Sequence, residues 1–419
     1  MLGRRFDNSS GRLLVSVSHL ALLQVFGYLL PLVTVPYLYR VLGLDRYGLV
    51  LFAAAFMVYF NVVVDFGFNL SAVRSVSIVK QEKHELSMVF RSVVFSKIIL
   101  LFFSFFFLWL IVTWVPSFNG DYTLYVYSFL TVIGQALFPV WFFQGLEEMR
   151  YITIINVVSK LLSVILIFIF VTSQGDYLLV PLFLGLGSIF GGFVGLYIAC
   201  SKFEVRLGYV SLSRLWCALK DSSTFFLSRI SLSLYTATNS FLIGLVMGNA
   251  AVGIFAAAEK LYQAYTGLFG TIVQALYPRM VASKSLALWK KVFVSSVSLN
   301  LFLQFFLFWL APWILALIYS DVETMTVLVF RVLMFATVFS FPSMLLGFPL
   351  LGAWGHVKVV NYSIVAASFF HISTLFILFV LDGFGLYSVS LLIVVSEFLV
   401  LSLRVYYSRR LNLVKGKWF

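Results

Sequence analysis

Apolar runs of about 20 residues recur along nearly the whole chain, and a run of that length crosses a bilayer as a helix. No other feature restricts the fold so strongly. Of the 419 residues, 62% are hydrophobic and 11% charged, and the 47 phenylalanines bring more apolar surface than one aqueous globule can hide. Spanning barrel strands would read as short alternating segments, so the expected fold is an all-α integral membrane bundle. Twelve transmembrane helices are predicted, near 13–36, 47–66, 92–115, 122–144, 152–172, 177–200, 222–247, 252–277, 292–318, 325–351, 359–381 and 384–406. Turn signals such as Asn119-Gly120-Asp121, Gly175-Asp176 and Asp382-Gly383 separate several neighbours. The first span lacks a small-residue cleavage site and reads as a retained helix, not a signal peptide.

Charge then orients the bundle. With the N-terminus placed inside, the cytoplasmic segments collect 23 Lys and Arg, Lys97 and Arg404 among them, against two, Arg40 and Arg46, in the external loops. That asymmetry predicts both termini in the cytoplasm. It also accounts for the net charge of +13 without nucleic acid, because a basic cytoplasmic face adjoins anionic lipid. Two cysteines, Cys200 and Cys217, imply neither a disulfide framework nor a metal motif. Asn8-Ser9-Ser10 matches a glycosylation pattern but falls on the cytoplasmic side.

The chain divides in a basic connection near residue 208, giving lobes at 1–207 and 208–419 with six spans each. Corresponding features recur about half a chain apart. Gly43 and Gly48 lead into Ala53-Ala54-Ala55, as Gly248 and Gly253 lead into Ala256-Ala257-Ala258. Arg74 matches Arg279, Asn156 matches Asn361, and Phe138-Pro139 matches Phe341-Pro342. An even number of spans per half gives parallel repeats, so two six-helix lobes around a central cavity are expected.

Four cations, Lys160, Arg229, Lys260 and Arg331, interrupt apolar spans. An intramembrane ion is disfavoured by roughly 2.5–3.5 kcal/mol on insertion scales and usually faces a bundle interior or wet cavity. Cations with few acids to pair with suggest a cavity for an anionic cargo. In span seven, Arg229, Ser233, Thr236 and Ser240 share one helical face, and in span eight Lys260, Gln263, Gly267, Gly270 and Gln274 repeat the device. Asn156, Lys160 and Ser163 form a shorter stripe in span five. Small and hydroxyl residues at this spacing also serve as helix–helix glue, and Lys160 and Arg331 lie close enough to span ends to snorkel.

Acids are fewer. Asp65 shares a face with Asn61 and Asn69, and Glu259 adjoins Lys260. Glu397 in span twelve could bind a coupling H+ or Na+, or neutralise a cation such as Arg404; His371 reads as a packed interface residue. Pro31, Pro36, Pro139, Pro278 and Pro342 would kink spans or fix bends. No Walker motif, Rossmann glycine pattern or paired Cys/His site occurs, so no cofactor, ATP-driven pump or redox enzyme is indicated. External loops of about 4 to 11 residues leave no room for a catalytic domain outside the membrane.

Several stretches resemble a known family. Tyr28-Leu-Leu-Pro-Leu-Val-Thr-Val-Pro-Tyr-Leu-Tyr-Arg40-Val-Leu-Gly43 with Arg46-Tyr-Gly48 is similar to the opening of bacterial O-antigen and polysaccharide flippases (Wzx-type). Asp65-Phe-Gly-Phe-Asn-Leu-Ser-Ala-Val-Arg74, Phe138 to Arg150, Ala258-Glu-Lys260 and Gln274 to Arg279 continue the resemblance in order. It implies a multidrug/oligosaccharidyl-lipid/polysaccharide exporter with two six-helix lobes. It further implies a non-enzymatic flippase of the bacterial inner membrane, moving undecaprenyl-pyrophosphate-linked oligosaccharide alongside polysaccharide polymerase and assembly proteins. Arg229, Lys260, Lys160, Arg331, Ser233, Thr236 and Gln263 are then the candidate cargo contacts, and Asp65, Arg74 and Glu397 the candidate gate or coupling residues. An ion-coupled multidrug exporter and a membrane glycan polymerase or ligase stand as alternatives; the first would prefer acids in its cavity, the second a large external loop.

Overall fold

The computed structural model describes the backbone of residues 3–206, 208–319 and 322–413, and the side chains of these except 3–26, 28, 29, 32, 117, 119, 224, 227–229 and 231–236. Thirteen α-helices carry it: α1 (Gly3–Asp65), α2 (Phe68–Val79), α3 (Lys83–Trp114), α4 (Tyr122–Leu137), α5 (Val140–Gly145), α6 (Met149–Phe170), α7 (Leu179–Lys202), α8 (Leu212–Met247), α9 (Asn249–Ser283), α10 (Leu286–Tyr319), α11 (Thr324–Leu346), α12 (Val357–Val380) and α13 (Leu386–Arg410). No strand occurs among the described residues. Among them, nine segments are long and apolar enough to cross a membrane, and these correspond to expected spans two to six and nine to twelve. The first falls largely, and the seventh partly, on side chains outside the described set. The eighth is α9, whose apolar run is diluted by Glu259, Lys260, Gln263 and Gln274. The protein is an all-helical, multi-pass membrane protein.

Its helices gather into two compact units. Unit 1 holds the residues up to Leu30 together with Val41–Ser233; unit 2 holds Pro31–Arg40 together with the residues from Leu234 onward. The first and second halves of the chain share a backbone device. Gly43 (φ 72°, ψ 170°) interrupts α1, and Gly248 (φ 85°, ψ −179°) separates α8 from α9. Only glycine enters that region without steric cost, so the two glycines seen as a sequence repeat make the same turn in both halves.

Lipid offers no hydrophobic drive for helix association, so unit 1 relies on small residues that let backbones approach. α7 packs on both α4 and α6. A Cβ on Gly134 or Gly192 would strike the facing helix at Ser188 or Leu137, and one on Gly187 or Gly191 would meet the hydroxyls of Ser163 or Ser159. Ser163, part of the predicted stripe in span five, donates to the carbonyl of Phe183 at 2.9 Å, which makes it helix glue. α4 stops at Phe138-Pro139 because proline supplies no N–H. The following Trp141, Phe142 and Phe143 are buried with Phe68 and Phe90, so a stretch that carried the family resemblance is core.

In unit 2, α11 packs on α9, α10 and α13, around Phe269, Trp289, Phe341, Leu345 and Leu350. Polar groups fasten α9 to α10 and α11. Tyr265 donates to Asn300 Oδ1 at 2.8 Å, Asn300 donates to the Thr337 carbonyl at 3.3 Å, and Gln304 donates to the Thr337 hydroxyl. α11 runs through Pro342 as a helix and widens into a π-helical segment only at Gly347–Gly352.

Candidate functional site

A polar cavity lies in unit 1, at the break between α1 and α2. Asp65 ends α1, and Phe66-Gly67 (φ 43° and 81°) turns the chain into α2. Asn61 and Asp65 come from the last turns of α1 and Asn69 from the first turn of α2. With Lys97 of α3 and Gln135 of α4 they line a cavity of about 260 Å³. Lys97 is 3% exposed and its ammonium pairs with Asp65 Oδ1 at 3.4 Å. A buried charge stripped of water needs such a partner. Asp65 Oδ2 is buried without a hydrogen bond. The amides of Asn61, Asn69 and Gln135 make no hydrogen bond with any described residue.

Lys97, counted with the cytoplasmic cations from the sequence, is buried inside the bundle. The signal was present, because Lys97 stands inside the predicted span 92–115. Arg74, grouped with Asp65 as a gate, has an exposed side chain on α2, and Asp65 turns to Lys97.

Unit 2 holds its cations differently. Arg404 of α13, also counted as cytoplasmic, is 6% exposed. It donates to the Ser363 hydroxyl at 3.0 Å, and to the Ser343 carbonyl and hydroxyl at 2.8 and 3.1 Å. Glu397, half-buried seven residues earlier on the same face of α13, interacts electrostatically with Arg404 and with Tyr262. Arg331 donates to the Phe308 carbonyl at 3.0 Å and lies over the Phe308 ring, 4.8 Å from its centroid, so it ties α11 to α10. His371 is fully buried between Ser396 (2.9 Å) and Asn239 (2.8 Å), a packed position.

Two predicted contacts do meet. Lys260, half-buried on α9, donates to Gln263 Oε1 at 3.4 Å, and Gln263 is exposed. Glu259 accepts from Ser240 at 3.4 Å and also interacts with both Lys260 and Gln263. Lys160 is exposed on α6 with no polar partner among the described residues. The side chains of Arg229, Ser233 and Thr236 lie outside the described residues.

A family described as Polysaccharide biosynthesis protein matches residues 13–284. The chain belongs to it. Within this polysaccharide biosynthesis family, the chain is 32% identical over 286 residues to a protein of Escherichia coli (strain K12) named "Putative O-antigen transporter", covering 68% of this chain and 69% of that one. Two solved structures share the fold at 14% identity. One is the lipid II flippase MurJ in an inward closed conformation (TM-score 0.70, covering 94% of this chain and 87% of that one). The other is an inward-facing multidrug resistance MATE family transporter of the MOP superfamily (TM-score 0.67, covering 94% and 97%). The matched stretch includes Asp65, Lys97 and Lys260, whereas Arg331, Glu397 and Arg404 lie beyond it.

Proposed function

We propose that this polysaccharide biosynthesis protein is a flippase of the bacterial inner membrane. It moves an undecaprenyl-pyrophosphate-linked oligosaccharide from the cytoplasmic to the periplasmic leaflet by alternating access, with both termini in the cytoplasm, and hands its cargo to a polymerase. The observation that carries this reading is the Lys260–Gln263 pair. An ammonium and a primary amide stand one turn apart on α9, the ammonium donating to the amide, with the amide exposed and the Glu259 carboxylate beside them. An ammonium suits a pyrophosphate as a compact charge, and an amide donates to and accepts from sugar hydroxyls. The lipid tail stays in the bilayer throughout, so the protein needs to shelter only the head group.

The test is glycan export in a strain lacking its own flippase, scored against several glycan backgrounds at matched membrane levels. The wild type restores export in at least one background. Lys260→Ala reduces it by roughly tenfold to a hundredfold, the range for loss of one charge-assisted hydrogen bond, and Gln263→Ala reduces it less. Failure of the wild type in every background sinks the flippase reading. Full export by both variants removes the cargo from α9.

A further inference from the structure

We propose that the cavity at the α1–α2 break is a carbohydrate subsite, taking one neutral, hydroxyl-rich sugar ring of the cargo; this rests on the flippase reading and assigns it a second contact region. Three observations carry it. The lining groups are Asn61, Asn69 and Gln135, three amides that offer donors and acceptors from α1, α2 and α4 and have no bond to any described residue. Amides left open around a shared space are unusual inside a membrane bundle, where polar side chains normally bond across helices. The volume, about 260 Å³, holds several waters or one sugar ring, since a water occupies about 30 Å³ of liquid.

The third observation is the charge balance. Lys97 is already matched by Asp65, so the cavity is close to neutral, and the Asp65 carboxylate opposes a phosphate. A pyrophosphate is therefore the wrong occupant, although a buried lysine at first suggests one. A sugar ring presents hydroxyls that both donate and accept, which is what open amides beside an ion pair can satisfy. Asp65 and Lys97 act here as a positioning pair that holds α1 and α3 around the space, with the amides making the contacts. The subsite is thus complete within unit 1, where the amides meet the sugar.

The experiment is saturation-transfer NMR on the purified full-length protein, with glucose, galactose, mannose, rhamnose, N-acetylglucosamine and inorganic pyrophosphate as separate probes. At least one monosaccharide gains saturation from the wild type. Gln135→Ala weakens that sugar by about tenfold, the worth of one or two hydrogen bonds, and leaves pyrophosphate unaltered. Gln135 is exposed at the cavity rim, so its truncation spares the core; Asn69→Ala serves as the second variant, and size-exclusion profiles establish that both fold. The proposal is overturned if no sugar in the panel binds, if sugar binding ignores both substitutions, or if pyrophosphate is the probe they displace. Failure here with wild-type glycan export intact removes the subsite and keeps the flippase; failure of export with sugar binding intact does the reverse.

Discussion

The two units hold several of their cations by different partners. Five Lys or Arg side chains pair with an acid in unit 1: Lys80–Glu147, Lys83–Glu204, Lys97–Asp65, Arg150–Glu148 and Arg214–Glu85. In unit 2 four described cations make their hydrogen bonds to neutral groups, while Glu397 acts electrostatically on Arg404 and Glu259 on Lys260. Arg404 takes hydroxyls and a carbonyl, Arg331 a carbonyl and a ring, Lys260 an amide, and Arg40 the carbonyls of Leu317 and Ile318 at the end of α10. A cation held by an acid is neutralised in place. One held by neutral oxygens keeps its field and still attracts an anion.

The largest effect expected from this contrast is at Lys97. Lys97→Ala leaves Asp65 buried without its counter-ion and should lower stability by about 3–5 kcal/mol, read as thermal unfolding in detergent. Lys97→Ala with Asp65→Ala should recover much of that loss, since the pair is costly to bury as well as to break. A single substitution without effect would erase the distinction between the units. Arg404→Lys comes next. The ammonium cannot reach Ser363 and Ser343 together as the guanidinium fork does, so a loss of about 1–3 kcal/mol is expected in the same measurement. A lysine that serves equally well would mean that charge alone, not geometry, holds α13.

The paired glycines sharpen the contrast on the backbone. Gly43→Ala should cost about 1–2 kcal/mol for a side chain in the left-handed region. It should exceed Gly248→Ala, because the new Cβ at Gly43 would lie 3.2 Å from Gln174 Nε2 while nothing lies within 4 Å at Gly248. Equal losses would show that the turn alone sets the penalty.

The smallest effect concerns the connection after α7, where Glu204 pairs with Lys83 and Arg91 donates to the Arg206 carbonyl at 2.6 Å. The hydrogen bond and charge of Lys83 hold the Glu204 carboxyl below its ordinary value of 4.5. Its folded value is depressed, so its contribution is complete above 4.5 and fades as pH falls through the lower folded value. Hydrogen exchange of residues 203–206 should therefore rise slightly between about pH 5 and pH 3, and also in high salt, because both partners are exposed. An unchanged rate would assign the tether to Arg91 alone.

Much of the fold was legible because lipid demands continuous apolar runs, and those survive in the linear order of residues. The repeat was legible too, since Gly43 and Gly248 are needed by their backbone whatever surrounds them. Of the candidate contacts, Lys260 and Gln263 were found by helical spacing, and spacing acts within one helix. Lys97 was missed for the opposite reason: its partner stands 32 residues away on another helix, and a cation near a span end reads as a snorkelling one. Asn61 and Asn69 were seen beside Asp65, but the break at Phe66-Gly67 separates them, and Gln135 joins them only through the packing of α3 and α4.

The sequence by itself determined the solvent, the helical class and the family of this protein, because each follows from residues read in order. Tertiary structure alone decided which cations are neutralised and which stay open. That outcome depends on whether an acid, a hydroxyl or a carbonyl from another helix lies within hydrogen-bond range. Such neighbours are chosen by glycine-permitted helix contacts and by turns at two or three residues, so no local pattern announces them.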